Sequence, residues 1–437
     1  LCGVREKDRP GGHPARDVRG PPGAAGDGVD GRGRAAGAPV VRDGADARAG
    51  AVPAVTAEAT KKIWVNKYSG IYFTDWDTEF FEDLEPTPRL LMGPGPFDLY
   101  PRVLRAMSAT ILGQFDPQFT NYMNQVMVLY RQVYCTKNQW TILVNGTARA
   151  GIEACLASMI VPGDKVLVPI FGRFGHLLKE IAERCGAKVY SIETDWGSVF
   201  ELDAINEALI KYRCKFVAVV HGDTSTTIAQ PLEGLGDICR AQDAILFVDA
   251  CATLGGMPVN VDDWKLDAVS SGLQKCLGGP PGSSPITFND RVVEIINSRR
   301  HIEEGIRPSG YKASIGPRIQ SNYFDLAMLM DYWGPARLNH HTESTSMLYS
   351  ARECARILLS KGLKETFSLH KLSSSALRSG LMAMGLNLYG DERNRMDNVT
   401  GVYIPKGVNG DKVREQMLED FGIEIGTYTL KFAEVII

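Results

Sequence analysis

Between residues 150 and 271 the chain alternates runs of Val, Ile and Leu with amphipathic stretches, and this rhythm constrains its fold more than any other feature. The spacing predicts helices over 151–159, 174–185, 202–211 and 231–241. Interleaved with them are strands over 165–169, 188–192, 216–221, 244–249 and 267–271. Strands this uniformly apolar, joined through helices, belong to a mostly parallel α/β sheet covered on both faces. Right-handed crossovers then place the loops that follow the strands along one edge, where α/β proteins build their sites.

After about residue 361 the rhythm changes to a helix and short strands over 398–404 and 422–425, which predicts a smaller α+β domain. The first 60 residues differ from both parts. They are rich in Gly, Ala, Arg, Asp and Pro and nearly free of large apolar side chains, so they cannot bury enough surface to order themselves. Leu1 opens this stretch, its aspartates are interspersed and it has no serine, so a translated leader or gene-model artefact is expected rather than a transit peptide. The expected organisation is a disordered leader over 1–60, an N-terminal arm over 61–88, a large domain over 89–360 and a small C-terminal domain over 361–437.

Charge and cysteine usage narrow the function classes. A formal charge of −3 over 437 residues argues against a general nucleic-acid binder. No apolar run approaches the ~20 residues needed to span a bilayer. Nine scattered cysteines without a C-x-x-C fit neither a disulfide framework nor a zinc cluster, so a reduced compartment is expected. The expected compartment is the cytoplasm, with the peroxisome as the alternative.

Four polar clusters close predicted strands. Asp249 ends the apolar run 245–248, where an isolated buried charge is very costly and must be paired. Lys275 stands between the strand over 267–271 and the glycine- and proline-rich run 276–283, a setting that can desolvate an amine and make it a nucleophile toward an aldehyde. Asn145-Gly-Thr-Ala-Arg149 opens a helix with small residues, which presents N–H groups at the positive end of the dipole and suits a phosphate. Thr147 adds a hydroxyl and Arg149 a charge. His221-Gly-Asp-Thr-Ser-Thr226 adds further hydroxyls. Taken singly, each reads more readily as a cap, an ion pair or an ordinary turn. Four of them on one edge of one sheet are harder to dismiss.

Together they supply what pyridoxal 5'-phosphate requires: an amine for its aldehyde, a carboxylate for its ring nitrogen and a helix N-terminus for its phosphate. Phe174 is the candidate for a flat lid over the ring, its alternative being a core aromatic that opens the helix.

From about residue 90 to 425 the chain resembles the alanine/serine–glyoxylate aminotransferases of class V. The segments that carry the resemblance are Leu91-Met-Gly-Pro-Gly-Pro96, Gly113-Gln-Phe-Asp-Pro117, Asn145-Gly-Thr-Ala-Arg149, Val248-Asp-Ala250, Gly272-Leu-Gln-Lys275 and Leu338-Asn-His-His-Thr-Glu343. The resemblance implies fold type I of the pyridoxal-phosphate enzymes and a homodimer whose active sites lie at the subunit interface. It implies Lys275 as Schiff-base lysine and acid–base, Asp249 on the pyridine nitrogen, and Phe174 over the ring. Thr147, Ala148, Arg149, Thr224 and Gln274 would surround the phosphate, with Thr342 coming from the neighbouring subunit.

Gln114 and Asn339 match the ureidoglycine–glyoxylate branch, and their amides suit a ureido group, which both donates and accepts. The implied reaction takes an amino group from (S)-ureidoglycine and gives it to glyoxylate, forming glycine, in purine (ureide) catabolism. Alanine– or serine–glyoxylate transamination is the alternative, and an inactive pyridoxal-phosphate-binding fragment the second. No metal is expected, because consecutive side chains such as His340 and His341 diverge on a strand. Cysteine desulfuration is disfavoured, because Cys276 neighbours Lys275 along the backbone and should point elsewhere.

Two departures from the family stand out. Thr227 occupies a position usually held by Gly, which is unfavourable if the turn needs a positive φ. After Ile423-Glu-Ile-Gly426 the family continues into an Arg-Ile-Gly whose arginine holds the substrate carboxylate, whereas here the residues run Thr427 to Ile437, with Lys431 no evident replacement. A truncated or frame-shifted C-terminus is therefore expected.

Overall fold

A computed structural model describes residues 83–429 and 434–436; the expected leader, most of the expected arm and Lys431 lie outside the described residues. Seven strands form the central sheet: β1 (Trp140–Asn145), β2 (Lys165–Ile170), β3 (Lys188–Glu193), β4 (Phe216–Val220), β5 (Ile245–Asp249), β6 (Ala268–Ser270) and β7 (Ser283–Phe288). Their order is β1–β7–β6–β5–β4–β2–β3. Every pairing is parallel except the two made by β7.

Strands β4 and β5 are buried along their whole length, as their unbroken apolar runs require once helices cover both faces. Among the covering helices, Arg173–Arg184 turns Leu178, Ile181 and Ala182 inward and leaves Glu180 and Arg184 as an exposed ion pair. The Ala148–Met159 helix lies so close to the sheet that a Cβ on Gly151 would sit 2.1 Å from Ser284 Oγ.

The rhythm read from the sequence omits β7, which enters between β1 and β6. Its residues, Ser-Ser-Pro-Ile-Thr-Phe, look like the tail of the preceding glycine- and proline-rich loop, yet all six are buried. Proline is rare inside a sheet because it cannot donate to the ladder. Here its carbonyl is used twice, accepting Ser271 N–H at 2.9 Å and the Tyr134 hydroxyl at 2.7 Å.

Other boundaries shift for local reasons. The helix expected over 231–241 starts at Leu235, after Gly234 turns left-handed at φ 88°. The strands expected over 398–404 and 422–425 contract to Val402–Tyr403 and Ile423–Glu424. The second of these pairs in parallel with Leu90–Leu91.

Thr227 adopts φ 56°, and its hydroxyl is buried without a hydrogen-bond partner among the described residues. A β-branched residue in the left-handed region stores about 1–3 kcal/mol of strain. Thr227→Gly is therefore expected to raise unfolding free energy by about 1 kcal/mol, the relief exceeding the added entropy of glycine in the unfolded chain. Urea titration checks this, and a lower midpoint for the glycine variant would refute the strain.

Candidate active site

The C-terminal ends of the strands converge on one cavity. It is lined by Thr147, Ala148 and Arg149 after β1, Phe174 after β2, Thr224 after β4, Asp249 at the end of β5, and Gln274 and Lys275 after β6. These residues share no local pattern and are brought together by the sheet. Lys275 and Asp249 thus line one cavity. Thr342, Gln114 and Asn339 do not join them within the chain. Thr342 is exposed, and Gln114 Nε2 donates to Asn339 Oδ1 at 3.0 Å.

Asp249 is nearly fully buried and accepts Cys251 N–H at 2.9 Å. Burial pushes its carboxyl up from 3.8 to about 6, helped by the charge of Asp223 and opposed by that hydrogen bond and by Lys275. Lys275 Nζ donates to the carbonyl of Pro94, on a loop that reaches in from the N-terminal side. Gly95, at φ 119°, permits that approach, since a Cβ there would lie 2.8 Å from Lys275 Cδ. His221 is buried, bonded through Nδ1 to Thr253 Oγ1 at 2.8 Å and pushed down to about 4 by burial, so it closes the turn as a neutral ring.

The arrangement fits pyridoxal phosphate on its own geometry. Thr147, at the N-cap of Ala148–Met159, makes no side-chain cap, which leaves the first N–H groups of that helix facing the cavity for an anion. Gln274 Oε1 is buried without a donor among the described residues.

The ionised form of Asp249 predominates only above about pH 6 in the cofactor-free protein. A protonated ring nitrogen pairs with that form, so cofactor affinity is expected to fall as pH falls through about 6. Stability of the cofactor-free protein runs the other way. Burial penalises the ionised acid, so the increment present below 3.8 is lost as pH rises through about 6. Fluorimetric titration with pyridoxal phosphate across this range checks the first trend, and an affinity that does not fall on acidification would contradict it.

Two expectations about neighbouring groups resolve differently. The histidines do not diverge, because residues 334–344 form no strand. Instead His340 Nδ1 and His341 Nδ1 lie 2.8 Å apart, and His341 Nε2 meets Asn145 Nδ2 at 2.7 Å. No cluster of three His, Cys, Asp or Glu suited to a metal ion occurs among the described residues. Cys276 does turn away, toward Asn398 Nδ2 at 3.0 Å, and burial pushes its thiol up to about 11, which suits it poorly as a nucleophile. The residue that sequence reasoning passed over is Asp223. It lies within the fourth polar cluster, but only its hydrogen bonds to a distant helix distinguish it from an ordinary turn aspartate.

Residues 103–427 match the family described as aminotransferase class-V. The chain is 51% identical over 341 residues to the (S)-ureidoglycine–glyoxylate transaminase of Bacillus subtilis, a match covering 78% of this chain and 82% of that protein. It is 34% identical to the alanine–glyoxylate aminotransferase of Drosophila melanogaster, over 77% of this chain and 83% of that one. The crystal structure of the Bacillus subtilis ureidoglycine–glyoxylate aminotransferase superposes with a TM-score of 0.76 at 48% identity, covering 81% of this chain and 88% of that chain.

Proposed function

The chain belongs to the class V aminotransferases of pyridoxal-phosphate fold type I, and from that premise we propose that it moves the amino group of (S)-ureidoglycine to glyoxylate, forming glycine. The observation that carries this reading is the meeting of the Lys275 amine, the Asp249 carboxylate and an open helix N-terminus in one cavity, in a chain so similar to the Bacillus subtilis transaminase.

Bound pyridoxal phosphate supplies an aldehyde that takes up the donor's amino group and a ring that draws electrons from the donor's Cα. Thr147, Ala148 and Arg149 would hold its phosphate with backbone N–H groups, a hydroxyl and a guanidinium, and Thr224 and Gln274 would close the same end. Phe174, which lines the cavity, would cover the ring and exclude water. Asp249 would keep the ring nitrogen protonated. Lys275, whose amine donates to Pro94 O, would take the proton from Cα of the amino donor as base and, with glyoxylate as acceptor, would give a proton to Cα of the forming glycine as acid.

Gln114 and Asn339, already paired with each other, serve the neighbouring site of a homodimer together with Thr342. There their amides meet the ureido group. The expected boundary between a large domain over 89–360 and a small one over 361–437 falls beside the break at Gly362, at φ 93° between the Thr345–Lys361 and Leu363–Ala383 helices.

The test is donor preference. Purified protein with glyoxylate should consume ureidoglycine far faster than alanine or serine. Replacing Gln114 and Asn339 together with Ala should cost at least ~100-fold in kcat/KM for ureidoglycine while changing the alanine rate little, because a site built for polar contacts rejects donors that lack them. Equal rates with ureidoglycine and alanine in the unaltered protein would overturn the assignment in favour of alanine–glyoxylate transamination.

A further inference from the structure

A second buried carboxylate does not line the cavity, though its charge helps raise the carboxyl of Asp249. Asp223, with no exposed surface, lies in the turn after β4 beside Thr224. Its Oδ2 accepts Phe174 N–H at 2.8 Å, and its Oδ1 accepts Ser225 N–H at 2.9 Å and the Ser225 hydroxyl at 2.6 Å. Ser225 Oγ in turn accepts Arg173 N–H at 3.0 Å. The Arg173–Arg184 helix starts from Gly172, which has no side chain to cap it, so the capping groups come from a strand-end turn about fifty residues away in sequence.

Gly172 bears independent witness to this contact. Its backbone is extended, at φ −174°, and would accept any residue. What excludes a side chain is Asp223, because a Cβ at 172 would lie 2.4 Å from the carboxylate. Burial raises the carboxyl's pKa, and the hydrogen bonds from Ser225, Phe174 and Gly175 hold it down.

We propose that Asp223 is a positioning residue that straps the turn bearing Phe174 to the turn bearing Thr224, and so sets the width of the slot between ring lid and phosphate end. This rests on the reading of Phe174 and Thr224 as cofactor contacts. A plain helix cap would stabilise the helix alone, whereas a strap fixes two turns relative to each other.

The experiment compares unaltered protein with Asp223→Asn, Asp223→Ala, and Asp223→Ala combined with Gly172→Asp. The asparagine keeps the shape but turns an N–H toward donors. It is expected to weaken pyridoxal-phosphate affinity about 10-fold and lower kcat about 10- to 100-fold, with a reduced visible circular dichroism of the bound cofactor. In the double variant the carboxylate at 172 occupies the vacated space and caps the helix from within. Thermal stability is then expected to return, while the dichroism and kcat stay low because the link to Ser225 is still missing. Recovery of kcat along with stability would reduce Asp223 to a cap and overturn the proposal, as would Asp223→Asn with unaltered affinity and kcat. Unaltered protein that takes up no pyridoxal phosphate would overturn the cofactor reading and the proposal with it, an outcome visible before any variant is made.

Discussion

Lys275→Ala is expected to lower transamination by at least ~10⁴-fold, because it removes at once the amine that anchors the aldehyde and the group that moves the proton at Cα. Lys275 is only partly buried and its amine is held, among the described residues, by the Pro94 carbonyl alone, so the fold should survive with a stability change within about 0.5 kcal/mol. Activity and stability are thereby separable in one variant. Stopped-flow measurement with ureidoglycine and glyoxylate, alongside the visible spectrum of the bound cofactor, checks the prediction. Added methylamine should restore part of the proton transfer, since a small amine fits the space left by the side chain. A variant within tenfold of the unaltered rate would remove Lys275 from the reaction.

The largest effect on stability is expected away from the cavity. Arg299 is 2% exposed, and its Nη1 donates to the carbonyls of Ala157, Ser158 and Ile160 at 3.0, 2.8 and 2.9 Å. Those carbonyls end the Ala148–Met159 helix, whose other end opens on the cavity. The guanidinium thus satisfies the orphan acceptors of that helix and complements its negative pole. Nε reaches Pro317 O at 3.0 Å, tying in a second segment.

Arg299→Met fills the volume but strands these acceptors, and should cost about 3–5 kcal/mol. Asp325 adds a pH signature. Burial raises its carboxyl to about 6, and Arg299 is one of the groups opposing that rise. Without the arginine, ionised Asp325 is less favourable, so the deficit should widen as pH rises through about 6. Urea unfolding on both sides of that pH measures it, and a loss below about 1 kcal/mol would show the arginine to be replaceable.

Much of the fold and the heart of the site are legible in the chain because they rest on local rules. Val, Ile and Leu runs of strand length announce buried strands, and crossover handedness places Asp249, Lys275, the Asn145–Arg149 turn and the loop after β4 on one edge before any distance is known. Thr227 is legible for a similar reason, since a branched residue in a turn that needs positive φ is a conflict within one residue.

What the chain conceals depends on residues far apart in sequence. Ser283–Phe288 has no periodicity to mark it and becomes a strand only between β1 and β6. Arg299, in a run of charges after a helix, reads as solvated until three distant carbonyls surround it. Asp223 is an unremarkable turn residue until the helix at Phe174 arrives beside it. The nature of each side chain, its period and its handedness are local and survive in a one-dimensional code. Burial, orphaned acceptors and the distance between two turns are properties of packing, and exist only once the chain has closed on itself.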